Sequence, residues 1–128
     1  MEIINPPEIH PAPGFSHVVI AEGTRQTFFA GQTAISPDFE VIGGDDLHAQ
    51  TVASMRNLEI AMRAAGVTWD QIVRRTIYTT RPHEYEVISR AIAEVTGQTE
   101  DFPAQTILGV TGLAIPGLLV EIECTAVS

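Results

Sequence analysis

Apolar residues along this chain fall in short blocks whose spacing changes from alternation to helical steps and back. Segments 17–23 ("HVVIAEG") and 24–32 ("TRQTFFAGQ") are rich in β-branched and aromatic residues, and glycines, Gly23 and Gly31, stand at or near their ends. Both read as strands, with a hairpin turn at Glu22–Arg25. Segment 36–46 ("SPDFEVIGGDD") carries Pro37, Gly43 and Gly44 and reads as a loop. Asp45 or Asp46 can then cap a helix by accepting free N–H groups of its first turn. That helix runs to about Ala65 and stops at Gly66. Met55, Leu58, Met62 and Ala65 step by threes and fours and form its buried stripe. Glu59 and Arg63 are spaced to pair on its wet side.

Segment 72–80 ("IVRRTIYTT") predicts a strand, and Pro82 suits the start of a second helix. Tyr85, Ile88, Ile92 and Val95 give that helix its stripe, and Gly97 ends it. Segments 104–110 and 118–127 are the last strands, with a Pro116-Gly117 turn between them. Trp69 is expected to pack the end of the first helix. The predicted order is β-β-α-β-α-β-β, and Glu2–Ile4 can add a short first strand. Two one-sided helices need a sheet face to lie on. The other face is expected to keep Phe, Val, Ile and Leu, which is a reason to associate. In the last strand Val120, Ile122, Cys124 and Ala126 point one way, and Glu121, Glu123 and Thr125 the other. Two carboxylates on one side of a central strand call for a wet cleft, an ion pair or a subunit boundary.

Composition narrows the function classes. The 128 residues are enough for one domain. With a formal net charge of −9 and only seven Lys+Arg, the chain lacks the clustered cations that neutralise phosphates, so neither nucleic acid nor an anionic membrane surface is an expected partner. Arg74, Arg75 and Arg81 are the nearest thing to a basic group. One cysteine, Cys124, allows no internal disulfide and no zinc cluster; it falls on the apolar face as a small hydrophobe. His10, His17, His48 and His83 show no metal-ligand spacing, so no metal and no cofactor are expected. No signal peptide or membrane-length apolar run is visible, and the expected location is cytoplasmic.

Several stretches, in order, resemble the Rid family, also called YjgF, named for reactive-intermediate (enamine/imine) deaminase: "PGFSHVV" (13–19), "AGQ" (30–32), "RNLEIAMRAAG" (56–66), "FPAQT" (102–106) and "VEIECTAV" (120–127). The resemblance spans nearly the whole chain. It implies an α+β, chorismate-mutase-like (ferredoxin-like) single domain, residues 1–128, with two helices on one sheet face. It also implies a homotrimer with a central barrel and small-molecule sites in clefts between subunits. Deaminating members use an Arg in "PARS" to clamp the substrate carboxylate and a Glu in the last strand to position water. A Tyr in "GPY", an Asn on the second helix and a glycine N–H in "SGQ" complete their sites.

Carried over by position, Glu121 matches the Glu, and Gly31 with Gln32 match "GQ". Ala30 replaces the serine before them, Phe15 the Tyr, and Ser89 the Asn. Gln105 stands where the Arg should be, and Ile107 joins the substrate-binding candidates. An Arg gives a carboxylate two parallel charged bonds, whereas Gln gives an uncharged amide. The implied function is a small-molecule enzyme that hydrolyses or tautomerises a reactive enamine, imine or related electrophile. Glu121 is its general base. It is not expected to be a typical 2-imino-acid deaminase, unless the fold brings Arg75 or Arg81 into the cleft. The alternative is a metabolite-binding or regulatory trimer without turnover. An endoribonuclease, a label that relatives have carried, is disfavoured by the charge.

Overall fold

Two helices lie on one face of a four-stranded sheet in the computed structural model of all 128 residues. The elements are β1 (Glu2–Ile4), β2 (Val18–Ile20), β3 (Gln26–Gln32), α1 (Leu47–Ala65), β4 (Ile72–Thr79), α2 (Tyr85–Thr96), β5 (Ala104–Gly109) and β6 (Val120–Val127). Short 3-10 turns at Trp69–Gln71 and Pro82–Glu84 precede β4 and α2. The predicted order holds, including the short first strand. The main sheet runs β3-β6-β4-β5, with only the β4–β5 pair parallel.

The predicted β2–β3 hairpin does not form. β2 pairs with β1, and β3 pairs with the last strand, β6. The end of the chain closes that pairing: Arg25 and Ser128 exchange backbone hydrogen bonds of 2.9 and 3.0 Å. A Cβ on Gly23 would stand 2.6 Å from the Ser128 carbonyl oxygen, so a glycine lets the two backbones meet there. β5 and β6 are not neighbours either, because β4 lies between them. Buried Gln50 fixes the crossing segment. Its Nε2 donates to the carbonyls of Gly44 and Gly117 at 2.7 and 2.8 Å, and its Oε1 accepts from the Leu119 N–H at 2.8 Å.

α1 starts on Asp46, whose carboxylate accepts from the Ala49 N–H at 3.0 Å, and ends on Gly66 in the left-handed conformation at φ 70°. Met55, Leu58 and Met62 are buried, with Ala65 packed at the margin. Each such side chain contributes roughly 1.5–3 kcal/mol by leaving water. Glu59 does not pair with Arg63. It accepts from Arg56 at 3.2 Å and from Trp69 Nε1 at 3.3 Å, so the indole seals the end of α1. In α2, Ile88, Ile92 and Val95 join the core with Ile77 and Ile122. Tyr85 does not: it is 50% exposed, since it opens the helix where the α2 face turns away from the sheet.

The open face of the sheet is less apolar than expected. Register places Phe28, Glu121, Glu123, Thr125, Arg74, Thr76, Tyr78, Thr106 and Leu108 there. Only Phe28, 73% exposed, and Leu108, 44% exposed, are large exposed hydrophobics among them. Tyr78 Oη donates to Glu123 Oε1 at 2.5 Å, and Arg74 donates to Thr106 at 2.9 Å. The hydrogen bond to the Glu123 carboxylate holds the Tyr78 phenol above its usual pKa.

Candidate functional site

A cavity of about 640 Å³ opens between α2, the edge strand β5 and the loop at 13–15. Phe15, Ser89, Gln105 and Ile107 all line it, so four of the residues singled out by position are brought together. Register explains the β5 pair: Gln105 and Ile107 lie beside Arg75 and Ile77, on the helix side of the sheet. Tyr85, Glu86, Ser89, Arg90 and Ala93 form the facing wall on α2. The 13–15 loop is anchored by Ser16, whose N–H donates to the Pro103 carbonyl at 3.0 Å and whose hydroxyl donates to the Phe102 carbonyl at 2.5 Å. Phe15 stacks edge-on with His17 at 5.3 Å between ring centres.

Gln105 is not alone. Arg75 Nε donates to its Oε1 at 2.5 Å, and Arg75 Nη2 donates to the Gly14 carbonyl at 2.7 Å. Arg75 is buried and also faces Cys124 across the β4–β6 ladder. Burial lowers the guanidinium pKa to about 10, with Cys124 acting the other way, and it remains a cation at neutral pH. Burial likewise pushes the Cys124 thiol up to about 12. Arg81 is elsewhere, pairing with Asp45 at 2.5 Å and Glu84 at 3.8 Å.

The remaining candidates form a second group. Ala30, Gly31 and Gln32 sit at a bulge in β3, where the pairing to β6 shifts between Phe29 and Gln32. The Glu121 side chain lies directly over Gly31: a Cβ there would meet Glu121 Cγ at 2.8 Å and Oε1 at 2.9 Å. A glycine is therefore what allows the carboxylate to rest on this backbone. Helix α1 steadies the strand end, since Ser54 donates to the Gln32 carbonyl at 2.5 Å and Asn57 Nδ2 to the Thr33 carbonyl at 2.9 Å. Glu121 lies opposite Tyr78 on the open face, whereas Gln105 lies on the helix face. One chain thus holds the two groups on opposite sides of its sheet. No cluster of three His, Cys, Asp or Glu side chains offers a metal site.

Comparison with known proteins bears on this arrangement. The family model described as "Endoribonuclease L-PSP" matches residues 6–128. The chain belongs to the Rid/YjgF family. Its fold superposes on a Yersinia pestis protein of the conserved Rid family, YyfB, with a TM-score of 0.90 and 37% identity, covering 99% of this chain and 98% of that one. A Mycobacterium tuberculosis member of the YjgF/YER057c/UK114 family is 34% identical with a TM-score of 0.68, over 91% of this chain and 88% of the other. Protein DfrA of Myxococcus xanthus is 32% identical over 117 residues, 89% of this chain and 85% of its own. No helix of this Rid protein is long and apolar enough to cross a membrane.

Sequence reasoning did not place Glu86 or Arg90 at the cavity and assigned Tyr85 to the core. The signal for the first two was present, because residues 85, 86, 89, 90 and 93 share one helix face. From the sequence, Arg75 enters only as a replacement clamp. Its parity with Ile77 and Thr79, both buried, marks it as an inward-facing charge.

Proposed function

We propose that this Rid-family protein is a small-molecule enzyme that hydrolyses or tautomerises a reactive enamine, imine or related electrophile. The observation that carries the reading is the seating of the Glu121 carboxylate over Gly31, beside a strand end held by α1. A complete site would form in a homotrimer, where the cavity of one chain meets Glu121 and Gly31 of the next. The division of the two groups between opposite sheet faces supports this reading, since neither group makes a site by itself.

In hydrolysis, Glu121 takes a proton from water while the oxygen adds to the C=N carbon, and solvent protonates the nitrogen. Glu121 then returns a proton to the nitrogen as the carbinolamine releases ammonia, and the hydroxyl proton passes to solvent to leave a carbonyl. Phe15 and Ile107 give the substrate an apolar wall, and the Gly31 N–H and Gln105 orient it. The two-bond fork that an arginine at 105 would offer a carboxylate is absent, so typical 2-imino acids are poor substrates. The second reading, a metabolite-binding trimer without turnover, is favoured by that same absence. RNA cleavage is opposed by the net charge of −9.

The test is ammonia release from freshly generated 2-aminoacrylate and its uncharged carboxamide, with wild type and Glu121→Ala. Glu121-dependent turnover of the carboxamide in preference to the acid supports the enzyme. Binding of both without turnover, with Glu121→Ala changing only assembly, supports the binding trimer.

A further inference from the structure

Arg75 is only 5% exposed, yet its two hydrogen-bond acceptors, Gln105 Oε1 and the Gly14 carbonyl, are both neutral. The ion pairs of the chain involve His48, Arg56 and Arg81, and no carboxylate lies within ion-pair reach of Arg75. A buried cation without a counter-charge is a burden on stability that a hydrocarbon side chain would not carry. It is placed where it can act on a ligand. A small void of about 80 Å³ touches Arg75 together with Gly14, Ser89 and Ala93, and these three residues also line the large cavity.

The contact decides what Gln105 can do. An amide side chain has one acceptor oxygen and one donor nitrogen. The oxygen is taken by Arg75 Nε, and the flipped amide would set N–H against N–H. The nitrogen has no acceptor in the chain, and Gln105 lines the cavity. Gln105 thus presents unpaired N–H donors, with a positive charge behind them.

We propose that Arg75 and Gln105 form one recognition unit, in which Arg75 locks the amide and lends it charge while Gln105 Nε2 binds a single oxygen of negative character on the substrate. Such an oxygen belongs to a conjugated carbonyl, an enolate or one end of a carboxylate. Groups that present N–H or ammonium at this point are rejected. The inference rests on the reading of the cavity as the substrate site. Arg75 is a positioning residue, and Gln105 makes the contact.

The test uses three phenyl probes of similar size, benzoate, benzamide and benzylammonium, whose ring suits the wall of Phe15 and Ile107. Binding is followed by NMR titration of the wild type, Arg75→Met and Gln105→Glu. The expected result is cavity shifts at Ser89 and Ile107, with benzoate and benzamide each at least ten-fold tighter than benzylammonium. Arg75→Met removes the preference, and Gln105→Glu, an acceptor of the same size, inverts it. If Arg75→Met fails to fold, the inversion by Gln105→Glu carries the test. Equal binding of benzoate and benzylammonium, a preference that survives Gln105→Glu, or no probe bound in the cavity each overturns the inference. If any of these occurs while Glu121-dependent turnover persists, the enzyme reading stands and only this inference fails. If the preference holds without turnover, only the enzyme reading fails.

Discussion

The cavity beneath α2 and the Glu121 end of β6 differ in almost every property that matters for chemistry. The cavity has volume, apolar walls and a buried cation behind Gln105, and its carboxylate, Glu86, stands on the α2 wall. The Glu121 end has a carboxylate laid over a glycine backbone, but no enclosed space. In the proposed function the first holds the substrate and the second moves a proton. Parity along β5 and β6 puts them on opposite faces of the sheet, so no side-chain motion within one chain joins them. Under the proposed function the two groups stay on separate faces of one small sheet and a second copy unites them.

The sharpest way to break this comparison is at Glu121. Glu121→Gln is expected to lower turnover by about 10²–10⁴-fold, the range for loss of a general base, while cavity binding of benzoate is retained. Steady-state kinetics beside an NMR titration checks both halves. If benzoate binding falls with turnover, the division of labour is wrong. Next in size is Gly31→Ala. Its new methyl would sit 2.8 Å from Glu121 Cγ, which displaces the carboxylate or strains the bulge by about 1–3 kcal/mol. Thermal melts and kinetics together should show a large fall in turnover with a modest loss of stability. Ser89→Trp is the converse variant. It fills the cavity from its half-buried wall, so probe binding is lost while the melt is little changed.

A smaller effect concerns Arg75 and Cys124, which face each other behind the cavity. Burial raises the Cys124 thiol from 9.0 to about 12, so between these values the unfolded chain releases a proton that the folded chain keeps. Stability therefore falls as pH rises through that window. Arg75 acts in the opposite sense, because burial lowers its folded value to about 10, below that of the unfolded chain, which then binds more protons above that pH. Its contribution begins only as pH approaches 10. Urea denaturation at pH 7, 9 and 10 should show stability declining from 9 towards 10, and Cys124→Ala should reduce that decline. The same burial predicts that iodoacetamide labels Cys124 at pH 8 only after unfolding.

Much of this was legible from residue order. Alternation in 120–127 identified a strand with one buried and one half-buried face, and Asp46 and Gly66 marked the ends of α1. Position alone gathered Phe15, Ser89, Gln105 and Ile107 at one cavity. Pairing partners were not legible. The short segment between β2 and β3 looked like a hairpin turn, but β3 closes against β6 through Ser128, a contact distant in sequence. Tyr85 fitted a buried stripe by spacing, yet a helix stripe extends past the sheet it covers. The link from Arg75 to Gln105 depends on parallel pairing of β4 with β5, which no local pattern encodes.

In the proposed assembly, position 105 of one chain faces position 121 of another. The measurement is cross-linking of the Gln105→Cys, Glu121→Cys double variant with a short bismaleimide, read on a denaturing gel beside sedimentation of the unlinked protein. Cys124 is buried and stays unlabelled. The account predicts covalent species of two and three chains and a sedimenting particle of three times 13.8 kDa. A particle of one chain, with no linked species, would contradict it.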